Sequence, residues 1–211
     1  AGRHARMARR HRGADAWTWL RRIGELDRTI DEVCDPVAAR RAASLVLSGA
    51  EGGRDLDLGV LERAGVLLAG RLVGWDGAGA RFGGDLAAIA ADADARMRRL
   101  LHRFEAEHVR AHAQAGSLAF DAAPGPAPLR LGPGVCALDL AAAGIGTILW
   151  ATGFARRCDW LPAAAVGPDG ELVHRRGVTP VRGLLALGLP FQHRRTSHMI
   201  GGVGADAAHL A

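Results

Sequence analysis

Residues 144–154 read Gly-Ile-Gly-Thr-Ile-Leu-Trp-Ala-Thr-Gly-Phe, and Thr147–Ala151 within them is an uncharged, largely apolar run closed by Thr152-Gly153. A short run of that kind between turn residues predicts a strand covered on both faces, as in parallel sheets. Gly183-Leu-Leu-Ala-Leu-Gly188 predicts a second buried strand of the same type. Between them, Gly167-Pro-Asp-Gly170 suits a hairpin turn that leads into a strand through Val173-His174. Upstream, Gly65–Gly77 reads as strand, bend and strand, ends in an Asp76-Gly77 turn, and returns through Ala80-Arg81-Phe82. A helix capped near Asp15 should bury Trp17, Leu20 and Ile23 and stop at Gly24, and Leu56–Ala64 is a short amphipathic helix. A long helix opens at Gly84-Asp85 and runs to about Gln114, with Leu86, Ile89, Met97, Leu100, Leu101, Phe104 and Val109 as its apolar stripe. A last helical stretch covers Ala207–Ala211. Interleaved helices and strands place the chain in the α/β class.

Composition narrows the function classes. The chain has 211 residues, 49% hydrophobic and 23% charged, enough to bury a core and too apolar for wholesale disorder. The net charge of +5 comes from Arg alone, because Lys is absent, so a compositional habit explains it as well as a polyanionic partner does. Cys34, Cys136 and Cys158 are odd in number and far apart, which argues against a disulfide framework or zinc knuckle and fits a reducing cytoplasm. The chain opens on an Arg-rich stretch instead of a signal peptide. Its longest uncharged run, Leu140–Phe154, is shorter than the ~20 residues a membrane span needs. The expectation is a cytoplasmic protein without a membrane segment. Residues 122–133, Ala-Ala-Pro-Gly-Pro-Ala-Pro-Leu-Arg-Leu-Gly-Pro, read as a linker between a domain at 1–121 and another at 134–211.

Candidate chemistry is sparse. Gly77-Ala-Gly79 lacks a third glycine at the offset a dinucleotide turn requires, Gly144-Ile-Gly146 precedes a strand, and no Gly-Lys-Ser/Thr is present. Gly201-Gly202-Val203-Gly204 opens a helix, where unpaired N–H groups can receive a ligand oxygen, although from this feature alone a turn made for tight packing is the better reading. The basic start, Arg3-His4-Ala-Arg6 and Arg9-Arg10-His11-Arg12, suits an isolated phosphate or a nucleic-acid backbone. No aromatic is interleaved for base stacking, so a solvated segment is the better reading than nucleic-acid binding. Glu105, His108 and His112 have the spacing of a helical metal site, but flanking Arg103 and Arg110 favour an ordinary charged face, and no metal is expected. His193-Arg-Arg-Thr-Ser-His198 offers acid, base and phosphate-binding groups without a triad, so no catalytic residue is assigned.

Thr147-Ile-Leu-Trp-Ala-Thr-Gly-Phe154 resembles the Ala-Thr-Gly-Phe segment of flavin-dependent monooxygenases, a class that also includes Baeyer-Villiger enzymes and bacterial flavoproteins associated with cation transport. The later pieces, Trp160-Leu161, Asp169-Gly170, Val173–Thr179, Gly183–Pro190 and Gly201–Gly204, are similar to that family's C-terminal region. Gly2-Arg3-His4, Trp17–Leu20 and Gly65–Leu86 are similar to the second half of its nicotinamide-nucleotide domain. The resemblance implies an incomplete flavoprotein with two dinucleotide-binding domains: part of a Rossmann-like NADP domain, then the C-terminal part of the FAD domain. The glycine motifs for both cofactors would lie upstream of Ala1.

By motif, Arg3 would contact the NADPH 2′-phosphate with His4 beside it, and Thr152 and Gly153 would lie in the crossover next to the cofactors. Gly188 and Leu189 would stand near the FAD ribityl chain, and Gly201, Gly202 and Gly204 at a flavin ring carbonyl. Leu189 departs from the acid that related flavoproteins often place there. The implied chemistry is reduction of FAD by NADPH, reaction with molecular oxygen and transfer of one oxygen atom to a small organic substrate, with the upstream half as a partner. The alternative is a non-enzymatic remnant or interaction module that binds neither cofactor.

Overall fold

The computed structural model describes residues 4–42, 44–114, 126–154 and 156–211. Their helices are Ala16–Arg22 (α1), Pro36–Arg40 (α2), Leu58–Arg63 (α3), Leu86–Gln114 (α4) and Val203–Leu210 (α5). Their strands are Arg10–His11 (β1), Ala14–Asp15 (β2), Leu72–Trp75 (β3), Gly79–Phe82 (β4) and Ala137–Asp139 (β5). The described residues form two compact units, one within 1–23 and 43–149, the other within 24–42 and 150–211.

In the first unit, β1 and β2 pair antiparallel, and the turn between them places Arg12 and Gly13 at positive φ (49° and 73°). Asp15 then caps α1 by accepting the Trp17 N–H at 2.9 Å. Asp57 caps α3 in the same way, from the Val60 N–H at 2.9 Å. α4 buries Leu86, Ala90, Ala93, Asp94, Met97, Leu101 and Phe104, a stripe recurring every three or four residues. Trp19 of α1 stacks on Phe104 with ring centroids 5.7 Å apart. The sheet β3-β4-β5 is antiparallel throughout. Its hairpin turn rests on Asp76, which accepts the Gly79 N–H at 2.7 Å, and on Gly77 at φ +90°, as the Asp-Gly pair predicts.

Several apolar runs behave otherwise than expected. Thr147–Ala151 joins no ladder among the described residues, and Leu149 is 88% and Trp150 64% exposed. Gly183–Gly188 makes isolated turn and bridging contacts, among them Val178 to Leu185 and the Ala186 N–H to the Gly177 carbonyl, instead of a buried parallel strand. An apolar run becomes a strand only where neighbouring backbone completes its hydrogen bonds. The stretch after Gly170 likewise stays a turn closed by a Val166–Leu172 bridge. The helix at Asp15 buries Ala16, Trp19 and Leu20 and leaves Trp17 38% exposed, because α4 lies on the Trp19 side. At the C-terminus, α5 begins at Val203, four residues before the expected start.

The basic start is bound into the first unit instead of solvated. Arg6 pairs with Asp57 at 2.9 Å and Asp94 at 2.5 Å, and Arg9 with Asp15 at 2.6 Å. Residues after Gly125 are held too: the Leu129 N–H donates to Asp94 at 2.7 Å and the Gly132 N–H to Glu62 at 2.7 Å. Arg12 donates to both oxygens of Glu105 at 2.8 and 2.7 Å, and His11 Nε2 lies 2.5 Å from the same carboxylate. These contacts, the Arg12 hydrogen bond foremost, hold the Glu105 carboxyl at about 2, below its ordinary 4.5.

A carboxylate whose folded pKa is depressed stabilises the fold above its unfolded pKa and loses that contribution as pH falls toward the folded value. The urea midpoint is therefore expected to drop between about pH 5 and about pH 2.5, and Glu105→Gln to flatten that drop. Parallel curves for the two proteins would count against this pair as the source.

The second unit has a polar interior. Leu26, Ile30, Ala165 and Phe191 are buried together with Glu25, Thr179, Gln192, His193, Ser197 and Asp206. Arg195 pairs with Glu25 at 2.8 Å, and the Ile30 N–H donates to the His193 carbonyl at 2.6 Å. Most buried polar groups in native folds are paired in this way.

Candidate functional site

The second unit holds a buried polar cluster. Its loop 191–197 is tied by Ser197 Oγ, which accepts the N–H groups of His193 and Arg194 at 3.1 and 2.8 Å. Gln192 accepts the Leu189 N–H at 3.2 Å and donates to the Ala186 carbonyl at 3.0 Å. This places His193 Nδ1 3.9 Å from the carboxylate of Asp206 on α5. Burial, and after it the Arg176 charge, pushes the His193 imidazole below its ordinary 6.5, while Asp206 opposes the shift. The ring is therefore neutral at pH 7.

Asp206 is 3% exposed, and its Oδ2 atom has no hydrogen-bond partner among the described residues; the buried Nε of Arg176 has none either. Arg176 also sits at φ +52°, a conformation that costs a non-glycine residue energy. A buried acceptor and a buried donor, both acting on one neutral imidazole, suit a ligand that carries a hydroxyl or ring N–H and an acceptor oxygen.

The expected site residues fall around this cluster unevenly. Gly202 is the N-cap of α5, and a Cβ there would lie 2.2 Å from the Thr196 carbonyl oxygen, so tight packing accounts for that glycine. Gly201 and Gly204 face open space, with nothing within 4 Å of a built Cβ. Gly202→Ala is expected to lower stability by about 1–3 kcal/mol and Gly201→Ala by less than about 0.5, as read by urea denaturation. Thr152 and Gly153 lie on an exposed bend, and Gly188, at φ +82°, is exposed beside half-buried Leu189.

His4 belongs to the first unit, where its carbonyl accepts from Arg96 at 2.8 Å and its buried Nε2 has no hydrogen-bond partner among the described residues. Burial first, opposed by Asp57, holds its imidazole below 6.5. Arg3 lies outside the described residues. Glu105 is engaged by Arg12 and His11, and no group of three His, Cys, Asp or Glu side chains among the described residues is placed to hold a metal. No helix among the described residues is long and apolar enough to cross a membrane.

Sequence reasoning missed a cleft of about 130 Å³ in the second unit. Arg40, Arg41, Arg156 and His174 supply its cationic and imidazole groups, Asp169 and Glu171 its carboxylates, and Val37, Leu172, Leu189 and Pro190 its apolar wall. Arg156 is held by Glu171 at 2.8 Å. The Gly177 N–H donates to Nδ1 of His174 at 3.3 Å. Burial, then the charges of Arg40 and Arg156, push this imidazole below 6.5. The available signal was Arg40-Arg41 just after the Asp35-Pro36 helix start, which reads as an outward helix face.

The described residues define a mixed α/β chain with small antiparallel sheets. Over 67 residues the chain is 49% identical to a protein of Geobacillus kaustophilus named uncharacterized oxidoreductase CzcO-like. It is 43% identical over 67 residues to the proteins of Bacillus subtilis and Bacillus velezensis named uncharacterized oxidoreductase CzcO. Each match covers 31% of this chain and 19% of the relative, so the chain spans about a fifth of the length of the curated relatives it matches. No family model matches the chain, and no solved structure does.

Proposed function

We propose that this chain is part of a cytoplasmic FAD- and NADPH-using oxidoreductase of monooxygenase type, contributing part of a Rossmann-like NADP domain and the C-terminal part of the FAD domain. The observation that carries this reading is the 43–49% identity over 67 residues to proteins named as oxidoreductases. The residues around α5 fit a flavin in part. Gly201 and Gly204 leave room at a helix N-terminus, Asp206 Oδ2 is a buried acceptor in want of a donor, and Arg176 Nε is the converse. When bound, FAD supplies hydride acceptance from NADPH and electron transfer to oxygen, chemistry that side chains do not provide.

In this reading Asp206 and Arg176 orient the group, while neutral His193 holds one proton close to the Asp206 carboxylate. Gly202 sets the start of α5. Thr152, Gly153, Gly188 and Leu189 border the cofactors, and Arg3 with His4 meets the NADPH phosphate. A small organic substrate, molecular oxygen and the upstream half would be the partners, with one oxygen atom passing to the substrate and the other leaving as water on electrons from NADPH.

A second reading, an interaction module that binds neither cofactor, has its own observation in the exposed Leu149 (88%), Phe154 (106%) and Trp160 (78%). Flavin fluorescence during titration of the chain with FAD, followed by NADPH, separates the two. Saturable binding, bleaching by NADPH and roughly tenfold weaker binding in Asp206→Asn are expected from the oxidoreductase reading. No binding, alone or with the upstream portion of such an enzyme supplied in trans, leaves the interaction module.

A further inference from the structure

The cleft that includes Arg40 and Arg41 has a charge arrangement left unused by the flavin reading. Both of its carboxylates are engaged: Glu171 holds Arg156 at 2.8 Å, and Asp169 Oδ1 accepts the Glu171 N–H at 3.2 Å. Arg40 and Arg41 have no hydrogen bond or ion pair from their guanidinium groups among the described residues. Their stems are rooted in an ordered element, since α2 begins with Pro36 and is capped by Asp35, which accepts the Ala38 N–H at 2.9 Å. A cation at a helix C-terminus is stabilising in itself, which accounts for an Arg at that place. It does not account for two of them lining a concave surface that also presents Val37, Leu172 and Leu189.

Unpaired guanidiniums beside an apolar wall, in about 130 Å³ of space, are what a small molecule with a charged head and a short hydrocarbon body requires. We propose that this cleft binds a small organic anion, a carboxylate or phosphate monoester, with Arg40 and Arg41 taking the charge and Leu172 and Leu189 the apolar body. Leu189 is shared with the flavin reading, whereas Arg40, Arg41 and Leu172 lie outside it, so the anion-binding end of the cleft stands whether or not the chain takes flavin. Because Arg40 and Arg156 act together on His174, an anion seated among them reports itself by raising the His174 titration midpoint.

The test uses hexanoate, hexyl phosphate, hexan-1-ol and inorganic phosphate, each titrated into the 211-residue chain at low ionic strength. Calorimetry reads affinity, and the ring resonances of His174, assigned with His174→Gln, read the midpoint. At least one of the two hexyl anions is expected to bind saturably while hexan-1-ol does not. The Arg40→Gln/Arg41→Gln variant, whose side chains are exposed and whose fold is checked by circular dichroism, is expected to bind at least about tenfold more weakly. Leu189→Ala is expected to weaken binding by about threefold. A preference between the two anions supports the site and names the head group. Absence of binding by both, an unchanged affinity in the double variant, or inorganic phosphate binding as tightly as the hexyl anions would overturn the proposal.

Discussion

Arg6→Ala is expected to lower the free energy of unfolding by about 3–5 kcal/mol, the cost of leaving buried charges without their partner. The Arg6 side chain is 9% exposed and lies between Asp57, 9% exposed, and Asp94, 6% exposed. Its guanidinium also donates to the Ala127 carbonyl at 2.9 Å, so one side chain joins the N-terminal segment to the start of α3, the middle of α4 and the stretch after Gly125. Removing the cation strands two carboxylates that also serve as acceptors, Asp57 for the Val60 N–H and Asp94 for the Leu129 N–H.

Urea denaturation at pH 7 measures the loss. The triple variant Arg6→Met, Asp57→Asn and Asp94→Asn is expected to recover most of it, because the asparagines keep an acceptor for each N–H without a charge to bury. A loss below about 1 kcal/mol for Arg6→Ala would place the ion pairs in the weak class of exposed ones and remove Arg6 as the tie.

Trp19→Ala is expected to cost a similar amount, about 3–5 kcal/mol, by opening a cavity between α1 and α4. Trp19 is 2% exposed, Phe104 is fully buried at 0%, and their rings stack at an interplanar angle of 19°. The indole N–H donates to the His11 carbonyl at 2.8 Å, which couples this packing to the β1–β2 hairpin. Trp19→Phe separates the two contributions. It retains aromatic contact with Phe104 and leaves the His11 carbonyl unpaired, for a smaller loss of about 1–2 kcal/mol. Equal losses in the two variants, again by urea denaturation, would show that the hydrogen bond and not the ring volume holds this core.

These two variants also show which features were legible in the residues themselves. The spacing of Leu86, Met97, Leu101 and Phe104 is a helical stripe on its own terms, and α4 follows it, although Ile89 and Leu100 are half-buried and Val109 is exposed. Asp15, Asp57 and the Asp76-Gly77 pair act within two or three residues of themselves, so their caps and turn are local chemistry. The basic start misleads for the opposite reason. Arg6 meets carboxylates 51 and 88 positions away and Arg12 one 93 away, and no local pattern distinguishes such a guanidinium from a solvated one. The helical spacing likewise names Trp17 as the buried residue, and only the position of α4 selects Trp19 instead.

The candidate sites divide along the same line. Gly201–Gly204 is recognisable as a turn that opens a helix, yet only the place of Thr196 shows that Gly202 serves packing while Gly201 and Gly204 stay open. His193 and Asp206 are unremarkable thirteen residues apart in the chain, and burial, together with the lack of a partner for Asp206 Oδ2 among the described residues, makes them a candidate site. The cleft of Arg40, Arg41, Arg156 and His174 gathers residues from both segments of one unit, more than a hundred positions apart, and its one local trace, Arg40-Arg41 after the Asp35-Pro36 helix start, reads as an outward helix face.

By itself, then, the sequence determined what depends on neighbours along the chain: the helical stripe of α4, the cap of α1, the Asp-Gly hairpin and the α/β mixture. The tertiary structure alone decided which arginines are internal ion-pair partners, which apolar runs find a sheet, and which polar atoms stay buried without a partner. Hydrogen bonds within a turn act over a few residues, whereas burial and the pairing of charges depend on segments that meet only when the chain has folded.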